Sequence, residues 1–141
     1  MPFIFMPFAV GIVLSVVVAL FARAVGLDRD RAFYPTVLIV VASYYVLFAV
    51  MSGSIHALVI ELIVMAAFLA AAVTGFKTSR WIVIAGLAAH GVLDSFHGAV
   101  IDNPGVPYWW PTWCMAYDIG AAGCLVVFSQ LTKTEGSRVT R

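Results

Sequence analysis

The stretch "LAAHGVLDSFHGAV" (residues 87–100) sets two histidines and an aspartate in a run whose other residues are apolar or small. His90, Asp94 and His97 stand at i, i+4 and i+7, which on a helix confines them to an arc of about 60°. They share one face. The surroundings say where that face must point. Of the 141 residues, 63% are hydrophobic and 11% charged, far from the roughly 45–50% apolar and 25% charged balance of a soluble domain. The chain reads as a membrane protein, and lipid does not tolerate a His/Asp/His face, so it should turn toward a bundle interior or a water-filled cleft.

Working outward, the apolar runs number five. The first is Phe3 to Ala22, the second about Phe33 to Met51, the third about Ile55 to Phe76. The fourth is Trp81 to about Ile101, and the fifth Thr112 to about Leu131. Each is close to the ~20 residues that a spanning helix needs. The expected class is therefore an all-α integral membrane protein, a five-transmembrane-helix bundle forming one domain over residues 1–131, with a polar tail at 132–141. A cleaved signal peptide fits the first run poorly, because the run has no basic start and is long for such a core. No room remains for a soluble catalytic domain. Short turns such as "SGS" and "KTSR" make the second, third and fourth spans antiparallel neighbours.

Basic residues set the expected direction. Arg23, Arg29 and Arg31 fall in the first loop, Lys77 and Arg80 in the third, and Lys133, Arg138 and Arg141 in the tail. The positive-inside rule makes these three segments cytoplasmic, with the N-terminus and the loop "DNPGVPYWWP" outside. A bacterial inner membrane or its equivalent is the expected location. No basic stripe remains for nucleic acid. Cys114 and Cys124 lie ten residues apart, roughly 15 Å along a helix, too far for a disulfide, so both read as small packing residues. Glycine-rich faces in the fourth and fifth spans permit close helix packing and leave oligomerisation open.

Glu61, Asp94 and Asp118 each fall within a span, with no Lys or Arg at that depth. A carboxylate there is costly unless paired, hydrated or protonated. Counting the rise per residue puts each of them roughly 9–12 Å from the outer end of its span. Ser43, Tyr44 and Tyr45 of the second span reach the same layer. His56 lies at the outer end of the third span and reads as an interfacial residue.

Three readings are open for this layer. In one, His90, Asp94 and His97 bind a metal, zinc or non-haem iron, while Glu61, Asp94, Asp118 and Tyr44 supply further ligation and acid-base groups for a hydrolase or oxidase acting on a lipid-soluble substrate. In another, the acids and histidines carry protons in a proton- or metal-ion-coupled transporter or a metal-free acid-base isomerase. In the third, they are interhelical hydrogen-bond partners in a plain bundle, such as a small subunit of a membrane complex. The spacing HxxxDxxH is not HExxH, and P-loop, CxxC and GxSxG patterns are absent.

The loop 102–111 has its own expectations. Pro104 and Gly105 stand where a type II turn places them. Tyr108, Trp109, Trp110 and Trp113 read either as an interfacial aromatic belt in the bilayer or as a lid that holds a lipid-soluble ligand over the polar layer.

Overall fold

The turn "SGS" shows how closely local chemistry follows the sequence in the computed structural model of the protein, which describes residues 2–139, with side chains from Ile4 to Ser137. Helix α2 (Phe33–Ser52) ends on Gly53, which takes the left-handed conformation at φ 70°. Ser54 then starts α3 (Ile55–Lys77) by accepting a hydrogen bond from the Ala57 N–H at 3.2 Å. Ser79 plays the same part for α4 (Arg80–Val100), accepting from the Trp81 N–H at 3.2 Å. These serines satisfy donors that a helix start leaves open. Two further helices complete the chain, α1 (Pro2–Val25) and α5 (Trp110–Val139).

All five helices are long and apolar enough to cross a membrane. Large apolar side chains such as Phe5, Phe21, Ile63, Phe96 and Val100 face outward, a surface that suits lipid and not water. This suggests a membrane protein. The fifth helix differs from its expected extent: it begins at Trp110 and continues through the polar residues to Val139, 30 residues in all. Such a helix is about 45 Å long and outreaches a hydrocarbon layer of about 30 Å, so part of the polar tail is helix. Arg141 and the side chain of Arg138 lie outside the described residues.

The packing order places the site. α1 lies mainly on α5, α5 on α4, α4 on α3, and α3 on α2, while α2 also touches α4 and α5. Helices α2, α4 and α5 thus enclose a common interior, with α3 closing one side. The α1–α5 approach depends on Gly120, where an added Cβ would land on Ser15 Oγ. Small residues at such crossings let backbones come together. One half of the interior is apolar, built from Leu38, Val41, Val83, Leu87, Ala121 and Leu125. The polar layer follows it along the same helices.

Candidate functional site

The buried face of α4 runs Val83, Gly86, Leu87, His90, Gly91, Asp94, His97. Its polar members meet acids from two neighbouring helices, and Glu61, His90, Asp94, His97 and Asp118 are all 2% exposed or less. They do not form one cluster. They form two, joined by Tyr45.

The inner group brings together His90, Asp94, Cys114 and Asp118, with one ligand-type atom from each inside a span of 4.8 Å. His90 Nδ1 lies 2.6 Å from Asp118 Oδ2 and 3.5 Å from Asp94 Oδ2. The Cys114 thiol, one turn before Asp118 on α5, lies 3.8 Å from the same Asp118 oxygen. The Tyr45 hydroxyl donates to Asp94 Oδ1 at 2.5 Å. Two carboxylate oxygens, Asp94 Oδ2 and Asp118 Oδ1, are buried without a hydrogen bond. Phe68 of α3 packs edge-on against the His90 ring, centroids 4.8 Å apart.

The outer group is a pair with a clamp. His97 Nε2 lies 2.8 Å from Glu61 Oε1, and Asn103 Nδ2 donates to that oxygen at 2.9 Å and to the Tyr45 carbonyl at 3.0 Å. Tyr45 separates the groups while touching both, because its ring stacks on that of His97 at 4.1 Å.

The sequence-based expectation grouped His90, Asp94 and His97 on a single ion. The structure instead places His97 with Glu61, and Cys114 and Asp118 with His90 and Asp94. A rise of about 10 Å separates positions i and i+7, whereas ligands around one ion at about 2 Å must lie within a few ångströms of each other. A common face is not a common point. Tyr45, not Tyr44, reaches Asp94; Tyr44 is half-buried against Trp110 and Phe48. Cys114, expected as a packing residue, stands in the candidate metal group. Its i, i+4 spacing to Asp118 was the signal available. Asn103 had none, since its role depends on how the loop folds back over α2.

That loop also departs from expectation. The Val106 N–H bonds the Asn103 carbonyl at 3.2 Å, but the glycines at positive φ are Gly26 and Gly53 only, among the described residues. Gly105 therefore lacks the left-handed backbone of a type II turn. What requires glycine there is proximity, because an added Cβ would strike the Phe48 carbonyl. Tyr108 is 80% exposed and Trp109 is also exposed. Trp110 packs at a tilt on Trp113, which stacks on Tyr117. The loop thus touches the polar groups through Asn103, with its tryptophans alongside. Together with Met6, Pro7 and Val10 of α1, the aromatics line an apolar groove of about 620 Å³.

Charge distinguishes the two groups. Glu61 and His97 balance one for one. The inner group sets two carboxylates against one imidazole, so a negative charge remains even when His90 is protonated, and a buried surplus charge requires a proton or a cation. A dication brings two carboxylates and a neutral imidazole to neutrality while Cys114 stays a thiol, and a His/Asp donor set with a cysteine beside it suits zinc. The group could hold a metal ion. A groove of about 590 Å³, walled by Ile4, Phe5 and Phe8 of α1 and by Met115 of α5, passes α4 at Asp94, whose carboxylate stays buried behind it.

No family model matches this sequence, and neither a curated protein nor a solved structure shows significant similarity to it.

Proposed function

We propose that this chain is an integral membrane metalloenzyme that holds a zinc-class dication between His90, Asp94, Cys114 and Asp118 and acts on a lipid-soluble substrate. The observation that carries the reading is the buried convergence of four ligand-type atoms with a surplus of negative charge and two unpartnered carboxylate oxygens. Tyr45 holds Asp94 in position from outside the ligand set, as partners of metal-binding carboxylates do. Zinc carries no redox chemistry; held by His90, Asp94 and Asp118 with the Cys114 thiol beside them, it would keep its fourth position open and would supply hydrolytic chemistry by polarising a carbonyl or activating water. Glu61 and His97, next to the metal group, are suited to move a proton. The groove beside Asp94 offers an apolar substrate a place to dock next to α4, and a side-chain movement would have to open the buried group to it.

In this reading the N-terminus and the loop 102–111 face outward and the basic end faces the cytoplasm of a bacterial inner membrane or its equivalent. Support comes from Arg23, Arg29, Arg31, Lys77 and Arg80, which fall at helix ends or loops of the opposite end, and from Lys133 in the last two turns of α5.

A second reading, metal-free proton handling, is favoured by one feature. The contacts Tyr45–Asp94 and His90–Asp118, with Asp94 and His90 adjacent, form a nearly continuous polar chain without any ion. Elemental analysis of detergent-purified protein, made without a His tag or chelator, separates the two. The metal reading expects about one zinc per chain, lost in Asp118→Asn and retained in His97→Ala. Wild-type protein that stays metal-free after reconstitution with zinc would overturn it in favour of the proton chain.

A further inference from the structure

A separate pocket, of about 210 Å³, lies at the opposite end of the bundle from the metal group, where the ends of α1 to α4 meet α5. Arg23, Arg29, Arg31 and Arg80 line it, against a single acid, Asp28. Among the described residues every ion pair involves a histidine, so none of these arginines is held by a carboxylate within 4.0 Å. The Arg23 guanidinium is fixed over the Phe128 ring at 4.8 Å. Arg31, at the junction with α2, takes φ 67°, a left-handed conformation uncommon for a residue with a side chain.

Positive-inside topology accounts for arginines at this end. It does not account for two uncharged groups that line the same pocket. Tyr34 is 5% exposed, and its hydroxyl and that of Ser129 are both buried without a hydrogen-bond partner. Buried hydroxyls are normally satisfied, and an orphan calls for a ligand or water. Tyr34 also belongs to the first turn of α2, where Asp30 Oδ1 accepts from the Ala32 N–H at 3.1 Å and the N–H groups of Phe33 and Tyr34 stay open.

We propose that this pocket binds a phosphate group, either as a free phosphate or diphosphate or as the headgroup of an anionic phospholipid. Guanidinium forks from Arg23 and Arg80 match phosphate oxygens, and the carboxylate-poor wall supplies them no competing partner. The Tyr34 and Ser129 hydroxyls donate to the remaining oxygens. The pocket is smaller than the roughly 300–1,000 Å³ of sites that take whole drug-sized ligands, which suits a small phosphorylated head. Tyr34 precedes Tyr45 by eleven residues, Arg80 precedes His90 by ten and Ser129 follows Asp118 by eleven. The two sites are thus about 15–17 Å apart along the helices, and this one stands whether or not the metal reading does.

The test uses full-length protein, delipidated in a neutral detergent and phosphate-free buffer. Inorganic pyrophosphate is titrated by calorimetry, and phosphatidylglycerol retention is counted by native mass spectrometry. Saturable binding is expected in at least one arm, weakened at least tenfold in Tyr34→Phe and in Arg80→Lys, which keep shape and charge respectively. Binding of pyrophosphate alone assigns a free phosphate, and binding of the lipid alone assigns a headgroup. Silence in both arms, or parental binding by both variants while they remain monodisperse, would overturn the proposal.

Discussion

The ring of Tyr45 lies on the imidazole of His97, centroids 4.1 Å apart and planes 22° from parallel. Its hydroxyl meanwhile donates to Asp94 at 2.5 Å. One side chain therefore couples the two buried groups, by stacking on one side and by a hydrogen bond on the other. Tyr45→Phe keeps the stack and removes the donor, leaving both Asp94 oxygens without a hydrogen bond. The expected loss is about 1–3 kcal/mol of stability, read from unfolding in detergent, with zinc affinity falling about 10–100-fold. Tyr45→Leu removes the stack as well and should be the more damaging.

Zinc itself should stabilise the fold. At a free concentration of about 100 times its Kd, a ligand specific for the native state contributes about 2.7 kcal/mol. Thermal midpoints should rise with zinc and fall back with EDTA. The rise should shrink in Cys114→Ala and Asp118→Asn and persist in His97→Ala. An equal rise in all of these would place the ion elsewhere.

Glu61 and His97 form a pair whose members depend on each other. Removing one partner of a buried ion pair costs about 3–5 kcal/mol, mostly because the other is stranded. Glu61→Leu and His97→Leu should each be destabilising, while the double variant should be less so than their sum. A coupling energy near zero in this cycle would mean that the 2.8 Å contact carries no energy.

Asn103 ties the outer loop to the outer group through Glu61 and to α2 through the Tyr45 carbonyl. Asn103→Ala withdraws two hydrogen bonds, each worth about 0.5–1.5 kcal/mol, or more where the acceptor is charged. Asn103→Asp brings a second carboxylate against Glu61 and should destabilise further. Hydrogen exchange over residues 102–109 should rise in both variants.

Gly120 tests the α1–α5 contact. A methyl group there would meet Ser15 Oγ, and overpacking of this kind costs about 1–3 kcal/mol. Gly120→Ala should lower the midpoint, and Ser15→Ala in the same chain should restore part of the loss. Without such rescue, the two helices would not be packed at this crossing.

The existence and number of the helices, and the extent of the middle three to within a residue or so, were legible in the sequence, because each rests on a local property. Runs of about twenty apolar residues answer to the thickness of hydrocarbon. The short turns "SGS" and "KTSR" answer to antiparallel neighbours. The shared face of His90, Asp94 and His97 answers to a period of 3.6 residues. The common depth of Asp94 and Asp118 followed from the rise per residue, and these two acids do converge on His90. The type II turn at Gly105 was not legible, because the demand for glycine comes from Phe48 on another element.

Partner choice was decided by tertiary structure alone. A sequence determines the angle of a residue about its own helix and its distance along it, but not how two helices are rotated against each other. That rotation brings Cys114 into the group with Asp118 and His90, and directs Tyr45 to Asp94 in place of its neighbour Tyr44. It also assigns His97 to Glu61 across an interface and not to the residues on its own face. Packing of α2, α3 and α5 around α4 sets these rotations through side-chain shape over the whole length of each helix, so the polar layer could be read from the chain while its division into two sites could not.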